Sequence, residues 1–385
     1  MNVARNAFIA GAYEHGLRIA PDHSVSQLHA EVAAGALEDA GLALKDVDGF
    51  FCAADAPGGA MSLAEYIGIR PRHVNGTEIG GASYIAHVAN AAQAIAAGRC
   101  NIALITLAGR PRSAGAAPRA YAPDAPEASY ELPYGPSVLN LYAMVAMRHM
   151  YDYGTTSEQL AWVKVAAAHH AQHNPNAMIR KVVTVEDVLS SPRVCDPLHR
   201  LDCCVVSDGG GALVVCREEI ARSLSRPMVR AIGAGAAIKH RNGGKAEITT
   251  SAGAISGALA FAEAGVTPSD IKYASIYDSF TITVIVQLED LGFCERGHGG
   301  RFVADGNLIS GVGSLPFNTD GGGLCNNHPG NRGGMTKVIE AVRQLRGEAH
   351  PAVQVRNCNL ALAHGTGGAL ATRHGSATLI LERIA

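Results

Sequence analysis

The chain has 385 residues, of which 48% are hydrophobic and 17% charged, and its 44 glycines imply many tight turns; this length can bury a large core and leaves room for two or three domains. A net charge of −2 with no basic stripe, and too few aromatics for a stacking platform, argues against a nucleic-acid partner. No uninterrupted apolar run is long enough to span a bilayer.

At the N-terminus, MNVARNAFIAGAYEHG holds too short an apolar stretch for a signal peptide, so a cytoplasmic location is expected. Asn75-Gly76-Thr77 matches a glycosylation sequon, read as chance in a chain that is not secreted. The nine cysteines are scattered without a C-x-x-C pair. A zinc site or disulfide framework is therefore not expected, and no metal is. Several cysteines stand in apolar, strand-like runs, where a buried free thiol is the simplest reading.

The chain repeats itself. Residues 37–48 read LEDAGLALKDVD and residues 261–272 read FAEAGVTPSDIK. Each is the end of an amphipathic helix, a glycine stop, an Asp-containing turn and then an apolar strand. Further on, a glycine pair opens a helix in each half, GGASYIAHVANAAQAIAAG and GGMTKVIEAVRQLRG, and each helix leads into a strand, NIALITLAG and NCNLALAHG. Strands alternating with helices predict α/β layers. The order of elements predicts a duplicated pair, an N-terminal half over residues 1–233 and a C-terminal half over 234–385. Residues 110–200 have no counterpart in the second half. This insertion opens on the Pro/Ala-rich RPRSAGAAPRAYAPDAPEA, an expected exposed loop or flap, and continues in two helical patterns. Thr156 and Ser157 followed by Glu158 and Gln159 give a helix start for the second of these.

Three segments of the second half join glycine-rich turns to polar side chains: Tyr277-Asp278-Ser279-Phe280, then DGGGLCNNHPG over 320–330, then Ala363-His364-Gly365-Thr366-Gly367-Gly368. In the strand–helix scheme Tyr277 and His364 fall at strand ends and His328 on the loop before a helix, the edge where open α/β sheets bind ligands. A neutral histidine can move protons and a tyrosine can face a developing oxyanion. Each signal has a plain alternative. NHPG is also a good turn, a tyrosine is at home in a strand, and DGGG lacks the spacing and the lysine of a phosphate cradle.

With these motifs, and with LHRLDCCVVSDGGGALVV, YDSFTITVIVQLEDLGFCERG, NTDGGGLCNNHPGNRGG and LALAHGTGG, the sequence resembles the thiolase superfamily along nearly its whole length. It is most similar to the sterol-carrier-protein-type thiolases and lipid-transfer-protein-like aldolases. The resemblance implies a duplicated five-layered αβαβα fold, with the inserted loop domain helping to bind a coenzyme A thioester as substrate and no bound cofactor. It also implies at least a homodimer, and a separate small OB-fold, zinc-ribbon subunit that binds acyl-CoA. By position, His328 matches the histidine that polarises the thioester oxygen, Tyr277 the first place of the N-E-A-F motif, and His364 the second catalytic cysteine. Thr366 would lend a backbone N–H to an oxyanion site, and Asp278 would support its neighbours.

The nucleophilic cysteine of a thiolase is missing. Its place falls at Gly81, in Ile79-Gly80-Gly81-Ala82-Ser83. Ser83, Cys325 and Asn327 are further candidates to line the site, Ser83 and Cys325 also as substitute nucleophiles. Without an acyl-enzyme, ping-pong acyl transfer is hard to run. What remains suits enolate chemistry, and retro-aldol cleavage of a β-hydroxyacyl-CoA is the expected reaction, with Tyr277 as base or proton relay and His364 next. An acyl-CoA C-acyltransferase with a non-standard nucleophile and a non-catalytic acyl-CoA-binding scaffold stay open as alternatives. Tyr134, Tyr142, Met144 and Met147 are candidates for an apolar pocket, and Arg193, His199 and Arg200 for contacts to CoA.

Overall fold

The computed structural model describes residues 7–53, 56–115, 128–240, 245, 247–329 and 333–384. The greater part of the Pro/Ala-rich loop, 116–127, lies outside the described residues. The strands are β1 (Ala7–Glu14), β2 (Gly49–Phe51), β3 (His73–Asn75), β4 (Ile102–Gly109), β5 (Arg193–Cys195), β6 (Leu198–His199), β7 (Gly209–Arg217), β8 (Val229–Lys239), β9 (Tyr273–Ile276), β10 (Leu360–Ala369) and β11 (Thr372–Arg383). The helices that matter for the site are α1 (Val25–Ala40), α2 (Ser83–Ala96), α3 (Val138–Tyr153), α4 (Ser157–Ala171), α5 (Gly253–Ala264), α6 (Thr281–Asp290), α7 (Gly322–Cys325) and α8 (Gly334–Arg346).

Nine strands form one mixed sheet in the order β3-β2-β4-β7-β1-β8-β11-β10-β9. Outward from the β1–β8 junction the order is β1-β7-β4-β2 on one side and β8-β11-β10-β9 on the other, with antiparallel, antiparallel and parallel pairings in both. The junction itself is slight, Phe8 against Arg230 and Ile9 against Val229. The repeated segments of the sequence occupy matching places. Helices α1 and α5 both end on a glycine in the left-handed conformation, Gly41 at φ 70° and Gly265 at φ 72°, the usual way to stop a helix.

Helices α2 and α8, opened by the two glycine pairs, pack on each other and on strands of both halves. Together with Tyr273, Leu107, Leu213 and Leu379 they form a central core. Helix α1 covers the other face of β1, β4 and β7, and α5 the other face of β8 and β11. The layers therefore run helix, sheet, helix, sheet, helix, as expected. The continuous runs of buried residues in β4 and β7 follow from strands covered on both faces.

The insertion supplies α3 and α4, which extend the outer core of the C-terminal half through Tyr142, Val145, Leu160 and Val163. Helix α4 starts where the sequence places it. The Thr156 hydroxyl accepts the Gln159 N–H at 3.3 Å and the Gln159 amide oxygen accepts the Thr156 N–H at 3.1 Å, a reciprocal cap.

Candidate active site

Strand β9 delivers Tyr277 at its carboxyl end, and the turn after α7 delivers His328. Their side chains meet, with Tyr277 Oη 2.8 Å from His328 Nε2 and the rings edge to face at 5.4 Å between centroids. Burial pushes the His328 imidazole down to about 4 and the Tyr277 phenol well above its ordinary value. At neutral pH the pair is therefore an uncharged phenol against an uncharged imidazole, joined by one hydrogen bond whose donor is set by the imidazole tautomer.

Asp278, next in the chain, ties two supports of that pair together. Its carboxylate accepts the N–H groups of Gly323 at 2.8 Å and Leu324 at 3.0 Å, and the Lys337 ammonium of α8 at 2.8 Å. The glycines of DGGG make this approach possible: a Cβ on Gly322 would overlap the carboxylate. The motif is a seat for a carboxylate, not a phosphate cradle.

Gly81 lies on the turn before α2, directly against the Tyr277 ring. A Cβ there would overlap Cε2, and would stand 2.9 Å from Cζ and 2.6 Å from the Thr366 carbonyl oxygen. The phenol fills the space that any side chain at position 81 would need.

Tyr277 and His328 open into a cavity of about 330 Å³, lined also by Thr366, Gly367 and Gly368. Its apolar wall includes Leu139, Phe280, Cys203, Cys204 and Val206, together with Tyr142 from the insertion. The rings of Tyr142 and Phe280 stack at 4.4 Å. Arg200 also lines the cavity, whereas Arg193 pairs with Asp196 at 3.1 Å and His199 lies 3.6 Å from Asp202. Tyr134, Met144 and Met147 are exposed. Of the residues expected from sequence, the cavity thus gathers Tyr277, His328, Thr366, Tyr142 and Arg200, with Gly81 behind the Tyr277 ring.

The others lie elsewhere. His364 is not among the lining residues. Gly365 faces α2, where a Cβ would meet Ile85 and Ala82, so the His364 side chain, one residue away on the strand, faces the opposite side. There its Nδ1 lies 2.8 Å from Thr378 Oγ1, under Gly253 of α5, and burial pushes its pKa down to about 3. Its contact with Tyr277 is through the backbone, the Tyr277 N–H donating to the His364 carbonyl at 3.0 Å. Ser83 is buried and its hydroxyl accepts the Ile79 N–H at 2.8 Å, closing its own turn. Cys325 is buried on α7 against Lys164, whose ammonium donates to its sulfur at 3.2 Å. Asn327 lies behind His328, its amide donating to Glu14 at 3.0 Å. None of the three lines the cavity.

Sequence reading missed three parts of this arrangement. Cys203 and Cys204 line the cavity although they read as ordinary strand thiols, and burial raises both. Lys337 is 1% exposed. The signal for it was available: a lysine set among apolar residues, GGMTKVIEAV, in the helix that the second glycine pair opens.

Comparison with known proteins gives the family. Residues 235–383 match the family model "Thiolase C-terminal domain-like". An acetyl-CoA acetyltransferase of Methanothermobacter thermautotrophicus is 34% identical over 361 residues, covering 90% of this chain and 92% of the relative. The chain belongs to the thiolase superfamily. Within that superfamily, a steroid side-chain-cleaving aldolase of Thermomonospora curvata is 38% identical over 338 residues, covering 83% of this chain and 85% of the relative. The solved structure described as "Ltp2-ChsH2(DUF35) aldolase" superposes with a TM-score of 0.90 at 34% identity, over 99% of this chain and 98% of that one. Among the described residues no helix is long and apolar enough to cross a membrane.

Proposed function

We propose that this thiolase-superfamily enzyme cleaves the Cα–Cβ bond of β-hydroxyacyl-CoA thioesters by a retro-aldol reaction, releasing a shorter acyl-CoA and a ketone or aldehyde. One observation carries the reading: the Tyr277 ring occupies the space a side chain at position 81 would need, so the place of the acyl-accepting thiol holds a phenol instead. Tyr277 Oη takes the proton of the β-hydroxyl while its own proton passes to His328 Nε2, 2.8 Å away. The Cα–Cβ electron pair moves into the thioester as an enolate. The imidazolium so formed places positive charge beside the enolate oxygen, with the Thr366 backbone as a second hydrogen-bonding edge. The same proton then returns to Cα, and charge and atoms balance without a redox step. Burial keeps the His328 imidazole neutral at neutral pH, with a lone pair free for the proton, and the same burial disfavours a lasting imidazolium, so the proton rests there only until it passes to Cα.

The acyltransferase alternative draws support from the Methanothermobacter relative. Ser83 and Cys325 are poor carriers for it, neither lining the cavity, whereas Cys203, Cys204 and Ser279 do line it. The reading of a separate partner subunit draws on the Ltp2-ChsH2(DUF35) aldolase, a similar chain named together with a DUF35 protein, whereas the homodimer and the acyl-CoA-binding role of the subunit rest on the family resemblance alone.

The test is direct. The chain, alone and with such a subunit, is incubated with β-hydroxyacyl-CoA thioesters of graded bulk, and the shorter acyl-CoA and carbonyl product are followed by mass spectrometry. Tyr277→Phe is expected to lower turnover by about 100-fold or more, the scale of a lost proton-transfer group. Full activity in Tyr277→Phe, or a stable acyl adduct on the intact protein after incubation with acetyl-CoA, would sink the aldolase reading.

A further inference from the structure

The motif LHRLDCCVVSDGGGALVV has no role so far beyond lining the cavity. Its middle, residues 203–208, is an extended strap between the short hairpin β5–β6 and strand β7. Its backbone stitches the two catalytic segments to each other. Cys203 bridges to Phe280, the Cys204 N–H donates to the Ser279 carbonyl at 2.9 Å, the Val205 N–H to the Gly323 carbonyl at 2.9 Å, and the Ser207 N–H to the His328 carbonyl at 3.4 Å. The strap is pinned at its far end by Asp208, whose carboxylate accepts the Ala20 N–H at 2.8 Å and the Arg112 N–H at 2.9 Å.

Ser207 is the contact that reaches His328 most directly. It is fully buried and does not line the cavity, so it cannot touch substrate. Its hydroxyl accepts the His328 N–H at 2.8 Å and donates to the Asn327 amide oxygen at 2.7 Å. The Asn327 amide nitrogen in turn donates to Glu14 Oε1 at 3.0 Å, and Glu14 is clamped by Arg18 at 2.9 Å and Arg343 at 3.3 Å. A chain of hydrogen bonds thus runs from a buried ion-pair cluster through Asn327 and Ser207 to the backbone of His328. The His328 ring must stand within a few tenths of an ångström of its place to keep its bond with Tyr277, and such precision comes from the groups behind a catalytic residue.

We propose that Ser207 is a positioning residue for His328, and that its hydroxyl, the single group shared by the His328 N–H and Asn327, sets where the imidazole stands beneath the thioester. This rests on the reading of His328 as the group that stabilises a thioester enolate. The consequence lies in catalysis and not in binding: loss of the hydroxyl leaves the cavity wall intact while His328 drifts from Tyr277.

Exchange of the α-protons of acetyl-CoA in D2O, followed by mass spectrometry, reads enolisation without any carbon–carbon cleavage. Ser207→Ala is expected to slow exchange by about 10- to 100-fold, the scale of a displaced catalytic group, with the half-saturating acetyl-CoA concentration changed less than about 2-fold. Ser207→Thr, which keeps the hydroxyl, is expected to stay within about 3-fold of wild type, as a positioning hydrogen bond requires. If the alanine variant does not fold, Ser207→Cys, which keeps the size with a weaker acceptor, is expected to fall between the two. Unchanged exchange in the folded alanine or cysteine variant overturns the proposal, and so does an equal loss in the threonine variant. A wild-type enzyme that exchanges acetyl-CoA protons but cleaves no β-hydroxyacyl-CoA overturns the aldolase reading alone. One that does neither overturns both.

Discussion

His328, His364 and His374 are all held neutral by burial, with pKa values pushed down to about 4, 3 and 3. In the unfolded chain a histidine titrates near ~6.5. Between the two values the unfolded state binds more protons, so this stability is full above about pH 6.5 and is lost as pH falls towards 4 and 3. These histidines should therefore lower the melting temperature, followed by scanning fluorimetry, as pH drops below about 6.5, each contributing up to about 1.4 kcal/mol per pH unit; the buried Glu340 carboxyl, pushed up to about 7, opposes them, its stabilising proton being lost as pH rises through 7. Gly81 gives a second expectation. Gly81→Ala should destabilise by about 1–3 kcal/mol through overpacking on the Tyr277 ring. Combined with Tyr277→Asn, which removes that ring, the part of the cost due to the phenol should vanish while the part due to the Thr366 carbonyl oxygen, 2.6 Å from such a Cβ, should stay, a coupling that calorimetry on the four proteins of the cycle would measure.

At the scale of elements, β9, α7 and α8 are fastened by the Asp278–Lys337 pair, whose side chains are 0% and 1% exposed. Asp278→Asn strands a buried ammonium and should cost about 3–5 kcal/mol, while Asp278→Asn with Lys337→Met should recover part of it. Chemical denaturation of the two variants checks this. The same elements show what sequence could and could not give. The glycine stops after α1 and α5, the glycine pairs before α2 and α8 and the Thr156–Gln159 cap were readable because each is local: a few adjacent residues fix the turn. The orientation of His364 was not. Strand β10 is covered on both faces, so LALAHGTGG is small and apolar on both sides and offers no polar alternation to say which way residue 364 points. Asp278 was equally opaque, because its partner lies 59 residues further along the chain. Cys325, three residues before His328, seemed close to the chemistry, but the single turn of α7 swings it towards Lys164.

On the scale of the whole molecule, the two halves of the sheet touch each other at few backbone positions, yet they share one interior. Helix α2 of the first half lies on β8, β10 and β11 of the second, and α8 of the second lies on β1 and β7 of the first. Neither half can keep its central face covered alone. Scanning calorimetry should accordingly give a single transition, with calorimetric and van't Hoff enthalpies in agreement; two resolved transitions would contradict a shared core. The cavity follows the same logic, since the first half with its insertion supplies Cys203, Cys204 and Tyr142 while the second supplies Tyr277, His328 and Thr366.

The contact between Gly81 and the Tyr277 ring also has a meaning for how such a chain can change. Two of the four glycine codons lie one nucleotide from a cysteine codon, so from those a thiol at position 81 is within mutational reach. Here it would arrive as a clash, and replacing Tyr277 first would remove the phenol while no thiol stands ready. Under the proposed chemistry each step is harmful alone, and replacing Tyr277 relieves the ring overlap that a thiol at position 81 would meet, which is epistasis written in van der Waals radii. Two residues nearly two hundred positions apart in the chain thus behave as one heritable character, and the chemistry of the pocket is protected from drift by an ordinary steric overlap.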